Sequence, residues 1–244
     1  MTETESSSRL LDRVRKLLAK AEDEACTVPE AQALTAKAAE LMAKYGIDRA
    51  LLDATRRPED NKPGNRMMDI DNPWGRVKAH LICGLANAMG CQGILLSTGK
   101  GTKVHIFGFQ SDLERLDVLY TSLLLQMSSG LMHTDPPAWS RSPRAWRRSW
   151  LLGWTSAVIS RVRAAENAAK RTAEADTTTG NSTALVLADR SLQVKHAVNG
   201  TYDKLRTARI TYSGTGYRDG YAKGQRANIG GTGVGRRTAG AISG

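Results

Sequence analysis

The stretch that decides the fold is Arg141–Trp154, RSPRAWRRSWLLGW, which holds four arginines and three tryptophans. Two interpretations of it compete. The tryptophans could stack on nucleobases while the guanidinium groups contact phosphates, as in proteins that bind single strands. Alternatively, the stretch begins an amphipathic helix whose tryptophans lie in the protein core. The two interpretations differ in whether tryptophans and arginines share one face.

A helical wheel separates the two kinds of side chain. At about 100° per residue, the tryptophans fall within about 80° of one another, and three arginines fall between about 160° and 220° on the opposite side. These residues are Trp146, Trp150 and Trp154 on one face and Arg141, Arg144 and Arg148 on the other. Only Arg147 lies beside the tryptophans. Because stacking on bases needs aromatic and cationic groups on one exposed face, we expect the tryptophans in the core and the arginines in a solvated row.

The surrounding sequence predicts an α+β, mainly helical fold. The helix that carries the tryptophans is expected from about Pro143 to Ala175. Before it, Ser111 and Glu114 form a capping box that predicts a second long helix. Two short strands, CQGILLS and TKVHIFGF, flank the turn TGKG and predict a hairpin. An amphipathic helix over 73–89, with Trp74 on its apolar side, precedes the hairpin, so the order is α-β-β-α-α.

The N-terminal residues 1–55 predict a separate helical module. Apolar residues recur at helical spacing over about residues 9–21. Thr27 and Glu30 form a capping box that opens a second helix, and Gly46 is expected to end it because a left-handed cap suits glycine. A short third helix should follow. Two amphipathic helices joined by a short connection form an αα-hairpin.

Three stretches of this module resemble a known family. They are KLLAKA at Lys16–Ala21, EAQALTAKAAELM at Glu30–Met42 and YGID at Tyr45–Asp48. Together they resemble a domain family of unknown function found in actinobacteria, other bacteria and their phages. The resemblance covers residues 9–48 and implies a helical module in a bacterial or phage protein. It transfers no catalytic residue, because the family has no assigned reaction.

The remaining segments predict a linker and a tail. Two prolines, a glycine and mixed charge in residues 56–72 are typical of a linker, which sets apart an α+β domain over 73–175. Residues 176–244 are basic and rich in glycine, and we expect them to be partly disordered. Within them, glycines recur every four residues from Gly216 to Gly224. This spacing indicates either a helix packed closely on a neighbour or an extended aromatic and basic segment.

The distribution of charge points to a polyanionic partner. Residues 1–135 hold 17 Lys and Arg against 18 Asp and Glu, whereas residues 136–244 hold 18 against 6. A field this uneven favours DNA, RNA or an acidic protein surface. The residues predicted to contact nucleic acid are Arg141, Arg144, Arg147, Arg148, Arg218, Lys223, Arg226, Arg236 and Arg237.

The sequence therefore predicts a non-enzymatic nucleic-acid-binding protein that contacts phosphates with little sequence specificity. No catalytic residue, metal ligand or cofactor is predicted. Three irregularly spaced cysteines, a polar N-terminus and the lack of a long apolar run favour the cytoplasm and no membrane contact. Two alternatives stay open. A metal-dependent enzyme acting on nucleic acid would gather Asp112, Glu114 and a histidine in one cleft. A module that binds an acidic protein would expose the stripe from Leu10 to Leu17.

Overall fold

In a computed structural model, the structure describes residues 3–21, 28–54, 61–98, 101–176, 182–206, 213–227 and 229. Within these ranges the elements are α1 (Glu3–Ala21), α2 (Val28–Ala54), β1 (Gly64–Ile70), α3 (Gly75–Ala88), β2 (Gln92–Thr98), β3 (Gly101–Gly108), α4 (Gln110–Met132), α5 (Pro143–Asp176), α6 (Thr183–Asn199) and α7 (Tyr217–Gly224). This confirms the predicted α+β, mainly helical class. None of these helices is both long and apolar enough to cross a membrane.

The tryptophan face of α5 lies in the core. Trp146, Trp150 and Trp154 are 2%, 0% and 1% exposed, and they pack with buried residues of α3 and α4 such as Leu81 and Leu116. The helical wheel is therefore confirmed for the tryptophans. Burying one large aromatic side chain contributes about 1.5–3 kcal/mol, so this face anchors α5 and fixes its rotation about its own axis.

The strands form an antiparallel sheet in the order β1-β3-β2. The predicted hairpin is confirmed as β2 and β3, which pair from Gln92 opposite Phe107 to Thr98 opposite Gly101. Because side chains alternate across a strand, the two faces of the sheet differ. Val104 on one face joins the main core beside α3, whereas Phe107 on the other face packs against α6. The sheet thus lies between α3 and α6.

The expectation of a linker over 56–72 is wrong at residues 64–70, which form the edge strand β1. This strand pairs with β3 along its whole length, from Gly64 opposite Gly108 to Ile70 opposite Thr102. The proline and glycine taken as linker signals stand just before the strand and at its first residue. The side chains of the strand alternate between the core and solvent. In seven residues that include Asn65, Arg66 and Asp69, this alternation is only a weak signal in the sequence.

The expected end of the second helix at Gly46 is also wrong, because α2 continues through this residue to Ala54. Gly46 is buried, and a Cβ added there would overlap the guanidinium group of Arg115. The glycine therefore permits a close approach between α2 and α4 rather than a left-handed cap. The first two helices pack together as the predicted hairpin, and α2 also contacts α4, α5 and α6.

The capping box predicted at Ser111 and Glu114 is wrong as well. Helix α4 begins at Gln110 with Phe109 at the N-cap position, so Ser111 lies inside the first turn. The buried Ser111 hydroxyl accepts a hydrogen bond from the Arg190 guanidinium at 3.5 Å. The other predicted box includes Thr27, which lies outside the described residues.

The C-terminal region, which was expected to be partly disordered, holds two packed helices, α6 and α7. Helix α7 lies along α5, and its glycines face the α5 backbone. Added Cβ atoms would overlap backbone atoms of the residue opposite, in the pairs Gly216 with Trp146, Gly220 with Trp150 and Gly224 with Trp154. Of the two interpretations of the glycine spacing, the closely packed helix is the one observed. Arg161 completes the contact by donating to the carbonyl oxygens of Gly224 and Ala227.

Candidate nucleic-acid interface

A cleft of about 690 Å³ opens where the turn before α3 meets the beginning of α5. Its lining brings together side chains from two distant parts of the sequence. These are Asn72, Pro73 and Trp74 from the turn and Arg144 and Arg147 from α5. The lining thus combines an aromatic ring, an amide and two guanidinium groups, and no carboxylate of the described residues belongs to it.

The turn that carries Trp74 is held from both sides. Trp74 has φ 68°, in the left-handed region that bulky residues rarely adopt. Its carbonyl oxygen accepts hydrogen bonds from the backbone N–H groups of Val77 at 2.9 Å and Lys78 at 3.1 Å, which joins it to the first turn of α3. The Lys78 ammonium in turn donates to the carbonyl oxygen of Asp71 at 3.1 Å. These contacts fix the backbone from which the half-buried indole projects.

The two arginines of the cleft are positioned by the first turns of α5. The Ser142 carbonyl oxygen accepts a hydrogen bond from the N–H of Trp146 at 2.9 Å. Because Trp146 is anchored in the core, Arg144 and Arg147 are turned toward the cleft. Neither arginine forms an ion pair or hydrogen bond with a residue that the structure describes. Their charges are therefore available to an anionic ligand.

The other predicted contacts are not part of the cleft lining or lie outside the described chain. Arg141 is exposed just before α5, and Arg148 is half-buried on its second turn. The predicted C-terminal contacts are exposed on α7 or just after it, and they are Arg218, Lys223 and Arg226. Because α7 packs along α5, two basic groups about seventy residues apart in sequence share one helix pair. Arg236 and Arg237 lie outside the described residues.

Two other arginines, Arg115 and Arg190, belong to a buried ionic cluster. Arg115 pairs with Glu166 and, at 3.1 Å, with Asp112. Arg190 reaches Asp112 at 2.9 Å and Asp53 at 3.3 Å. Burial lowers the pKa of Arg115, but the charges of Glu166 and Asp112 outweigh it and hold the pKa above its ordinary value. The cluster joins α2, α4, α5 and α6, and it serves the fold rather than a ligand.

The carboxylates named for a metal-dependent enzyme are not gathered in one cleft. Asp112 is occupied by the two buried arginines, and Glu114 accepts a hydrogen bond from Gln110 at 2.9 Å. The part of the chain that the structure describes contains no group of three or more His, Cys, Asp or Glu that could hold a metal ion. The arrangement that would favour this alternative is therefore not found there.

The histidine of the sheet has structural partners. His105 lies on the face of β3 that packs against α6. Its Nδ1 is 2.7 Å from the Tyr202 hydroxyl, and its Nε2 is 3.0 Å from the Asn65 Oδ1. Burial lowers the pKa of His105. The partners suit a neutral ring that accepts from the tyrosine and donates to the amide oxygen.

The apolar stripe of α1 is not free for a protein partner. Val14 and Leu18 are 0% and 5% exposed, and they pack into the main core with Ala38 and Met42 of α2. Leu17 is half-buried against the same core, and the side chain of Leu10 lies outside the described set. The exposed stripe that would favour a docking module is therefore not observed at Val14.

Trp74 is the residue of the cleft that sequence reasoning missed. The spacing of apolar residues placed it on the buried side of a helix beginning at Pro73, whereas α3 begins at Gly75. The available signal was local: Asn72-Pro73-Trp74-Gly75 is a tryptophan within a turn signature of Asn, Pro and Gly. A large aromatic residue in such a turn indicates a surface position more than a core position.

Comparison with known proteins locates one family match. The model of a protein family of unknown function, DUF2786, matches residues 9–49. This agrees with the resemblance seen at residues 9–48, and it covers most of α1 and most of α2. No curated protein and no solved structure matches the chain significantly. The match does not include the cleft.

Proposed function

We propose that this protein is a non-enzymatic nucleic-acid-binding protein of bacterial or phage origin, which contacts phosphates with little sequence specificity. The observation that carries the proposal is the cleft beside α5. There Arg144 and Arg147 share a concave surface whose described lining contains no carboxylate. Arginine binds phosphate oxygens through a rigid fork of N–H donors, so two such groups with no ion pair to a described residue suit a polyanion.

The surrounding charge supports the same ligand. The exposed basic residues of α7, among them Arg218 and Lys223, lie on the helix that packs against α5. Contacts to phosphates position a nucleic acid but carry no sequence information. Binding through these residues would therefore tolerate many sequences. The affinity would fall as the salt concentration rises, because the release of counterions on binding then contributes less.

The cellular setting is part of the proposal. The resemblance at residues 9–48 supports a bacterial or phage origin. Cys83 and Cys91 are free thiols, which suits a reducing cytoplasm. An acidic protein is the other polyanion that this surface could bind.

The decisive experiment measures the affinity of the full chain for labelled single-stranded DNA, duplex DNA and RNA across a salt series. In the double variant Arg144→Ala/Arg147→Ala, affinity should fall at low salt. The slope of log K against log salt should become shallower by about 1.8 on duplex DNA and about 1.4 on single strands, because two phosphate contacts are lost.

The matched control is Arg163→Ala/Arg171→Ala, which removes the same charge from exposed positions farther along α5. It should change affinity and salt slope much less than the cleft variant. If the unmodified chain binds none of the nucleic acids at low salt, the proposal is wrong. An acidic protein would then be the polyanion to seek.

A further inference from the structure

Resting on the proposed function, we infer that the cleft binds single-stranded nucleic acid. An unpaired base stacks on the indole of Trp74, and Arg144 and Arg147 hold the phosphates that flank it. The α5 helix alone separates its tryptophans from its arginines. The turn before α3 supplies the missing aromatic group on the same surface as the two cations. This is the combination of stacking platform and basic groove that single strands require.

The size of the cleft selects the single strand. A volume of about 690 Å³ lies within the range of pockets that enclose one small ligand, about 300–1,000 Å³. This is room for one unpaired nucleotide to enter, whereas a duplex would contact the arginines from outside the cleft. The faces of bases in a duplex are covered by their neighbours, and a protein reaches them only by flipping the base out or by binding an unpaired strand. An aromatic group in this cleft therefore meets a base only when that base is unpaired.

Trp74 differs from the core tryptophans in exposure and in backbone. It is half-buried, whereas Trp146 and Trp150 are almost fully buried. Its φ of 68° is disfavoured for a bulky side chain, and the first turn of α3 holds it in place. Residues held in such conformations by their surroundings cluster at ligand sites. Trp74 packs partly against the main core, and it also lines the cleft.

A second exposed aromatic group lies close in sequence to the cleft arginines. Trp139 is 69% exposed, and it precedes Arg144 by only five residues. An isolated exposed tryptophan in a loop beside basic residues suits stacking of a neighbouring base. The cleft and this loop would together follow a short run of a single strand.

The test uses the full chain with labelled dT12, U12 and a 20-base-pair duplex. Trp74→Gly removes the ring and leaves a residue that tolerates the positive φ. It should weaken binding of both single strands by about 5- to 150-fold, the range found when a stacking aromatic is lost. Binding of the duplex should change by less than about twofold, because a duplex contacts only the arginines. Trp74→Phe keeps a stacking face and should recover most of the affinity for dT12 and U12.

Trp74→Leu keeps apolar bulk without a π face, and it separates stacking from packing. It should bind single strands as weakly as Trp74→Gly. Circular dichroism and urea unfolding check that both variants are folded.

If Trp74→Gly and Trp74→Leu bind dT12 and U12 as tightly as the unmodified chain while Arg144→Ala/Arg147→Ala still weakens binding, the inference is wrong and the proposed function stands. If Trp74→Leu binds as well as Trp74→Phe, the ring acts through packing and the inference is also wrong. If neither the tryptophan nor the arginine variants change binding, both fail. A difference between dT12 and U12 would report on the 2′-hydroxyl or the thymine methyl group and leave the single-strand inference supported.

Discussion

Arg115 and Arg190 lie in the core, whereas Arg144 and Arg147 line an open cleft, and the two pairs differ in what surrounds them. The buried pair contacts three carboxylates, and the guanidinium of Arg190 also lies 3.7 Å from the centroid of the Phe109 ring. The cleft pair meets no carboxylate among the lining residues that the structure describes. A buried charge needs a partner of opposite sign to offset its loss of hydration. An arginine without a described partner on a concave surface is instead available for a ligand.

Removing one buried arginine is the most direct test of whether the buried pair stabilises the fold. Arg115→Met keeps similar volume but leaves Glu166 and part of Asp112 without their cation. We expect the free energy of unfolding to fall by about 3–5 kcal/mol, because an unpaired buried carboxylate is left behind. Urea unfolding followed by circular dichroism measures the change.

The matched variant is Arg144→Met, at an exposed position of the cleft. It should change the free energy of unfolding by no more than about 0.5 kcal/mol, as is usual for surface substitutions. Equal losses in the Arg115 and Arg144 variants would contradict the division into structural and ligand-binding arginines.

A smaller effect is expected where α7 is held against α5. In Gly220→Ala the new methyl group would overlap the carbonyl oxygen of Trp150, a backbone atom that cannot move aside easily. Overpacking of this kind typically lowers the free energy of unfolding by about 1–3 kcal/mol. Because α7 carries Arg218 and Lys223, the same variant should also weaken nucleic-acid binding.

Ala222→Ser is the control, since Ala222 is an exposed position of the same helix. Its stability and affinity should stay near those of the unmodified chain. Equal stability of the two variants in urea would mean that α7 does not pack closely on α5.

The smallest effect concerns a buried polar group that has no charged partner among the described residues. Within that part of the chain His105 hydrogen-bonds to Tyr202 and Asn65, and burial lowers its pKa below the ordinary value near 6.5. As pH falls below about 6.5, the unfolded chain takes up the proton before the folded chain does. The contribution of His105 is therefore complete above about pH 6.5 and is lost as pH falls toward the lowered pKa.

Urea unfolding at pH 7.5 and pH 5.5 tests this dependence. The unmodified chain should be less stable at pH 5.5, and His105→Gln should reduce that difference. His133→Gln, at an exposed position at the end of α4, should leave the difference unchanged. An undiminished pH difference in the His105 variant would show that its burial does not disfavour the proton.

Local patterns predicted a large part of the fold. The four-residue spacing of the tryptophans in α5 identified a buried face, and the turn between two apolar runs identified the hairpin of β2 and β3. Both patterns depend on residues within a few positions of one another. The edge strand β1 escaped because its partner, β3, is about forty residues away and its own alternation is weak. Gly46 was misread because the reason for a glycine there is the side chain of Arg115 on another helix.

The candidate site was predictable only in part. Arg144 and Arg147 were named from the charge of the C-terminal half and from their place opposite or beside the tryptophans. Their meeting with Trp74 required the turn before α3 to be brought against α5. No spacing within either segment carries that information, because about seventy residues separate them.

The sequence by itself determined the mainly helical class, the hairpin of β2 and β3 and which face of α5 is buried, since these patterns are properties of neighbouring residues. Only the tertiary structure decided which arginines are neutralised. Arg115 meets Glu166 across 51 positions and Arg190 meets Asp53 across 137. Composition counts all of these charges alike. Packing distinguishes them, because a cation removed from water needs a carboxylate partner to offset its loss of hydration. A cation in a cleft stays hydrated and can bind an anionic ligand.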